Sequence, residues 1–173
     1  MPDSLATLPA HESARLRLRA LVPDDAAALR AVSDDAPILA AIPFLTAPLT
    51  LAAVSALIDK NAGGADRFLG IWARESAALV GVVGLHLRGR GDLEIGYWVG
   101  RDFRGQGYAS EAAAAALGLA AEALPRRRAV AECRPENRAS WRVLEKLGFR
   151  PTGERATRPG RALLARALAL NPR

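Results

Sequence analysis

An α/β fold with a mixed sheet is predicted for this 173-residue chain by three observations. Runs with the two-residue alternation of strands recur along the chain. Helix-like segments are interspersed among them in the order β-α-α-β-β-β-α-β-α-β-β. No internal repeat, low-complexity linker or domain boundary interrupts the series, so one domain accounts for the length.

Residues 1–13, "MPDSLATLPAHES", have neither a basic start nor a long apolar stretch and are expected to form a flexible N-terminal arm, with the domain proper over 14–170. "ARLRLRAL" (Ala14 to Leu21) alternates leucine with arginine, the period of a half-exposed strand. Pro23 and Asp24 start a helix that continues through alanines and leucines. "APILAAIPFLTAPLT" carries three prolines and reads as a loop with at most a short helical piece, and "LAAVSALIDKNAGG" is a second helix stopped by Gly63 and Gly64. "RFLGIWARE" and "ALVGVVGLHLRG" are two strands joined by a polar turn around Glu75 and Ser76, and "LEIGYWVG" is a third. An alanine-rich helix follows and ends at Pro125. "RAVAECRP" is another strand. "NRASWRVLEKLGF" is a helix with Asn137 as its N-terminal cap and Gly148 at the left-handed position after its end. "FRPTGER" and "RALLARALAL" are closing strands, though the second also suits a helix.

Composition narrows the function. Half the residues are apolar and 24% are charged, which suits a soluble globular protein. No apolar run reaches the roughly 20 residues of a membrane span, so no membrane association is expected. Cys133 is the only cysteine, which excludes an intrachain disulfide and fits a reducing, cytoplasmic setting. His11 and His86 are the only histidines, and no metal-ligand cluster is visible. The net charge of +6 comes almost wholly from arginine, with Lys60 and Lys146 the two lysines. The arginines are scattered rather than interleaved with aromatics, which argues against nucleic acid; the charge reads as a solvated basic surface, with a small phosphorylated ligand as the alternative.

The chemistry concentrates in "RDFRGQGYASEAAAAALGLAAEAL", Arg101 to Leu124. A glycine turn set against a helix start offers unpaired amides and the positive end of the helix dipole, and Gly107 lets an anion come close. Arg101 and Arg104 can add charge. The dinucleotide fingerprint does not fit, because Ser110 stands where its third glycine belongs, and a P-loop lysine is absent. A compact connector is the alternative at this point.

Arg104-Gly105-Gln106-Gly107-Tyr108-Ala109 is similar to the R/Q-x-x-G-x-G/A signature of the GNAT N-acetyltransferase superfamily. The strand "EIGYWVG" precedes it. The segment with Asn137, Ser140, Gly148 and Phe149 follows, and it resembles the superfamily's N-x-x-[AS]…G-F helix. Within the superfamily the motifs resemble the branch of bacterial ribosomal-protein N-terminal (alanine) acetyltransferases, which also includes enzymes acting on small amines. The resemblance implies a single-domain GNAT-like fold whose mixed, mostly antiparallel sheet is splayed at the cofactor strand. It implies direct transfer of an acetyl group from acetyl-coenzyme A to a primary amine, of a protein N-terminus or a small molecule, by a monomer or homodimer without a metal.

The resemblance also distributes roles. The pyrophosphate maps onto the amides of Arg104 to Ala109, and the pantetheine arm onto Tyr97, Trp98 and Val99. An amide near Trp98 or Val99 would polarise the thioester carbonyl. Asn137 and Ser140 fall on the cofactor's other side. Arg126 to Arg128, or Arg142 and Lys146, are candidates for its 3′-phosphate, with a solvated surface the alternative. The acceptor amine must be neutral: a lysine with a pKa near ~10.4 is so in under about one part in a thousand at pH 7, an N-terminus near ~7.8 in roughly one molecule in seven. Glu94 is the first candidate base, with Gly96 and Trp98 on its face leaving room for substrate, and His86 on the neighbouring strand is the second. Many relatives carry a tyrosine seven residues after the asparagine to protonate the thiolate. Leu144 stands there, so Ser140 or water is the candidate acid. Cys133 is expected to be structural rather than a nucleophile. Asp24, Asp25, Asp34 and Asp35 are a candidate acidic patch, and the Ala36–Thr50 loop is expected to border the acceptor. A non-catalytic acyl-coenzyme A-binding or regulatory domain on the same fold is the main alternative, with a basic nucleic-acid module behind it.

Overall fold

The computed structural model describes residues 4–61, 64–124 and 127–168, the side chain of Arg90 excepted. Gly63, Pro125, Arg126 and the last residues of the expected domain lie outside that set. Eight strands form one sheet in the order β1-β2-β3-β4-β5-β6-β8-β7: β1 His11–Glu12, β2 Leu16–Ala20, β3 Asp66–Ala73, β4 Leu79–Leu87, β5 Leu93–Val99, β6 Arg128–Cys133, β7 Arg150–Arg155 and β8 Ala162–Ala167. All neighbours are antiparallel except β5 and β6. The ambiguous C-terminal segment is therefore a strand, paired with β6 along its whole length.

Helices cover both faces. Helices α1 (Ala26–Ser33), α2 (Ala36–Ala41) and α3 (Leu51–Lys60) lie on one face, where Leu29, Ile38, Val54 and Ile58 pack with Phe68, Val82 and Trp98. On the other face α4 (Tyr108–Ala123) and α5 (Arg138–Lys146) meet Leu69, Ile71, Val83, Leu85, Leu93 and Ile95. Strand β4 is buried on both sides, which is why its sequence is a near-continuous apolar run rather than an alternation. Ala112, Ala113, Ala116, Ala120 and Ala121 are all buried, and side chains this small bring the backbone of α4 close to the sheet.

The expected loose N-terminal arm is docked over its described residues. Leu5 is wholly buried, Leu8 nearly so, and β1 extends the sheet by pairing with β2. Burying two leucines contributes about 1.5–3 kcal/mol each, enough to offset the ordering of a short segment. Composition alone hides this, because two leucines among polar residues show no period.

Helix α5 has the ends its sequence predicts. Asn137 Oδ1 accepts from the Ser140 N–H at 3.2 Å. At the other end Gly148 adopts φ +86°. The Phe149 N–H then donates to the Leu144 carbonyl and the Gly148 N–H to that of Glu145, a Schellman closure that buries Phe149 completely. An alanine at Gly148 must hold a left-handed backbone, costing about 1–2 kcal/mol. Gly148→Ala should lower Tm by roughly 2–8 °C on the scale of about 2–4 °C per kcal/mol for this size, measured by thermal denaturation.

Candidate functional site

The parallel pair β5–β6 is joined only at Leu93–Ala129 and Glu94–Val130. Beyond those two registers the strands diverge, while β4 stays paired to β5 as far as Val99 and β8 to β6 as far as Cys133. A wedge-shaped gap opens between Ile95–Val99 and Ala131–Cys133. Tyr97 reaches across it from β5: its hydroxyl lies 3.0 Å from Ser140 Oγ and donates to the Ser140 carbonyl at 3.2 Å. Burial pushes the Tyr97 phenol up to about 12. Asn137, Ser140, Leu144 and Cys133 line the same gap. The Cys133 thiol is buried, its pKa raised by that burial, and it points at the Arg134 carbonyl at 3.4 Å, the surroundings of an inert thiol.

At the end of β5 the chain turns into α4. Gly105 has φ +75° and Gly107, the residue capping α4, has φ +79°. Nothing stands within 4 Å of the place where a Gly105 side chain would begin. The first-turn amides of α4 lack intrahelical acceptors and face this open space with the helix dipole behind them. Two anchors that sequence reasoning missed hold the turn. Arg15, at the start of β2, donates to the Gln106 carbonyl at 2.9 Å, pairs with Glu111 at 2.7 Å and lies 4.9 Å over the Tyr108 ring. Asp35, buried at the start of α2, takes Arg101 at 2.6 Å and also Arg104. Arg104 donates onward to the Val99 carbonyl at 3.1 Å. Those bonds to Arg101 and Arg104 hold the Asp35 carboxyl below its ordinary range. The two arginines therefore brace the turn against α2.

The expected acidic patch is not one surface. Asp25 is buried against Arg19 at 2.7 Å, Asp35 is paired as described, and Asp34 lies 3.9 Å from Arg30. The supposed phosphate arginines are also engaged: Arg128 pairs with Asp92 at 2.7 Å and with Glu154, and Arg127 donates to the Gly91 carbonyl at 2.7 Å. Arg126 lies outside the described residues. Arg142 and Lys146 are exposed on α5.

On the sheet face carrying α1–α3, strand register builds a second group. Asp66, His86 and Glu94 stand side by side on β3, β4 and β5. In the next row along, Phe68, Gly84 and Gly96 align, and one row further Val82 and Trp98. The two glycines leave a floor without side chains beside His86; a side chain at Gly84 would meet His86 Nε2 at 2.7 Å. The resulting cavity, about 480 Å³, runs from Ala41–Phe44 and α3 past His86 to the Asn137 end of α5.

The two candidate bases differ in their partners. Glu94 accepts from Arg88 Nε at 2.7 Å through one oxygen and from Arg158 through the other. His86 is 9% exposed, and its Nδ1 lies 2.7 Å from Asp66 Oδ1. With Nδ1–H donated to that carboxylate, Nε2 is the lone-pair nitrogen. Burial, aided by the charges of Arg88 and Arg158 and opposed by Asp66, lowers the His86 pKa below 6.5. That shift favours the neutral form of the ring.

An acetyltransferase (GNAT) domain model matches residues 15–150. The "uncharacterized N-acetyltransferase YnaD" of Bacillus subtilis is 35% identical over 99 residues, 57% of this chain and 58% of that protein. The chain spans just over half the length of the curated relatives it matches. The crystal structure of a GNAT-family acetyltransferase from Bacillus anthracis is 26% identical and superposes with a TM-score of 0.79, covering 92% of this chain and 99% of that one. Mycobacterium smegmatis RimJ, solved in complex with CoA-disulfide, has the same fold at 22% identity: TM-score 0.76, 94% of this chain, 88% of that one. With its splayed β5–β6 pair, its glycine turn at α4 and a domain match over most of its length, this chain belongs to the GNAT acetyltransferase family.

Proposed function

We propose that this chain transfers the acetyl group of acetyl-coenzyme A directly to the neutral amine of an acceptor. The observation that carries the proposal is the continuity of three features: the positive-φ glycine turn at α4, the gap between β5 and β6, and a cavity on the opposite sheet face holding a neutral, carboxylate-oriented histidine. The residues fit the cosubstrate. Amides from Arg104 to Ala109 hold the pyrophosphate, and the unpaired edge of β5 around Tyr97, Trp98 and Val99 receives the pantetheine arm. The thioester supplies an activated acyl group, and a β5 amide near Trp98 or Val99 polarises its carbonyl.

His86 takes the proton. Glu94, the first candidate from sequence, has both oxygens committed to arginines and acts here as their anchor. His86 has an open Nε2, is biased toward its neutral form and is oriented by Asp66, the arrangement a general base needs. It receives the amine proton directly or through one water. On the other side of the gap, the coupled hydroxyls of Ser140 and Tyr97 supply the hydrogen bond that the departing thiolate lacks at Leu144. A thiol of ordinary pKa near ~8.5 leaves with little acid assistance.

Two variants and a pH profile carry the test. His86→Gln should lower kcat by about 100- to 10,000-fold, measured as coenzyme A release over a panel of amines. Because the His86 pKa is depressed below 6.5, kcat/KM should show an acid limb below that pH, beyond the acceptor's own titration, and the limb should vanish in the variant. An unchanged rate and profile would return the base role to Glu94 or water. Gly107→Glu should abolish acetyl-coenzyme A binding by calorimetry, with a stability cost no larger than about 1–2 kcal/mol for a left-handed non-glycine. Undiminished affinity would place the pyrophosphate elsewhere.

A further inference from the structure

We infer that the acceptor is an apolar α-amino acid, recognised through its carboxylate by Arg161 and through its side chain by Phe44, Phe68 and Trp98. This deepens the acetyl-transfer assignment of the same cavity and rests on it. The first ground is the charge of the wall. Five basic side chains line the cavity, Lys60, Arg88, Arg134, Arg158 and Arg161, against the carboxylates of Asp66, Glu94 and Glu132. Each carboxylate is already used: Asp66 by His86 and Arg88, Glu94 by Arg88 and Arg158, Glu132 by Arg158 at 2.7 Å and by Thr157. A polyamine's second ammonium would therefore have to share a carboxylate that already serves an arginine or a histidine.

Arg161 is the second ground. Its guanidinium is half-buried and donates only to backbone, to the Ala41 carbonyl at 2.7 Å and more weakly to that of Glu132 at 3.4 Å. No carboxylate lies within ion-pair distance of it among the described residues. A guanidinium has five donors in a fixed fork suited to a carboxylate, and two carbonyls leave most of that capacity unused. Arg161 also lies close enough to Arg158 to lower its pKa, second to burial, with Arg88 adding to it. Arg158 in turn acts on His86. Arg158 is already paired with Glu94 and Glu132, so the unused donors of Arg161 are the ones that meet the anionic group, in the same cavity wall that holds Arg158 and His86.

The third ground is apolar. Phe44 is 49% exposed although it touches Phe68 at 5.4 Å and Trp98 at 6.2 Å between ring centroids. Phe68 in turn lies 5.2 Å from the His86 ring. An exposed aromatic at the mouth of an aromatic-lined cavity offers area to an apolar side chain.

The test compares free L-phenylalanine, L-leucine and L-methionine with their carboxamides, with neutral peptide amides beginning in the same residues, and with spermidine, by coenzyme A release. At least one free amino acid should exceed its carboxamide in kcat/KM by about 10- to 100-fold, the value of a charged hydrogen-bond pair. Amidation makes the amine less basic and more often neutral, so intrinsic reactivity works against this result. Arg161→Gln should collapse the ratio, and Arg161→Lys should restore part of it, with Tm recorded for both. Equal or better turnover of carboxamides, peptide amides or spermidine by the unaltered protein overturns the inference. Absence of turnover on every amine counts against acetyl transfer and leaves the carboxylate site to be read by binding. N-acetyl-L-phenylalanine should then bind, with coenzyme A present, about 10-fold or more tighter than its amide. Equal binding overturns the inference by itself.

Discussion

Everything functional in this molecule depends on β5 and β6 parting after two residues. Each keeps a full partner on its outer side, β4 for one and β8 for the other, so the sheet stays intact while its centre opens. An unpaired strand edge inside a protein is costly unless its amides find other acceptors. In the proposed reaction that edge takes the thioester arm of acetyl-coenzyme A. The Tyr97–Ser140 contact ties β5 to α5 beside the opening, and the α4 turn follows the end of β5. Closing the gap with a continuous parallel ladder would remove the place where the proposed reaction brings its two substrates together.

The arginine-rich composition takes its meaning from the same geometry. The +6 charge is spread into local pairs rather than gathered on one face. Arg15 with Glu111 and Arg101 and Arg104 with Asp35 brace the glycine turn. Such partly exposed pairs contribute little to stability individually, about 0–1 kcal/mol. Their effect is positional, because each ties the turn to an element distant in sequence. Around the cavity, pairing is instead incomplete, with Arg161 bonded only to carbonyls. The distinction between paired braces and an under-used guanidinium separates scaffold from recognition.

Much of the scaffold was legible in the sequence because its signals are local. The Asn137 cap, the Gly148 closure and the glycine turn each depend on a few adjacent residues, and all appear where their residue types predict. What depends on register was not legible. Asp66, His86 and Glu94 form a row only because β3, β4 and β5 pair in one particular alignment, and a slip of one residue would turn His86 to the other face. In that row Glu94 meets two arginines and His86 meets one carboxylate, a difference of partners that the sequence does not display. The Arg15 brace joins residues 91 apart, and no periodicity reports it. Asp35 read as part of an acidic patch because charge shows in sequence while its burial against Arg101 and Arg104 does not. The docked N-terminal segment was missed for the same reason: Leu5 and Leu8 find their partners far along the chain.

Hydrogen–deuterium exchange with and without coenzyme A reads the parted strands themselves. Coenzyme A should slow the exchange of amides in two places only, the Gly105–Ser110 turn and the free edge of β5 from Ile95 to Val99. Protection that avoids both segments, or that appears on α1–α3 with the turn unaffected, would contradict the proposed placement of coenzyme A.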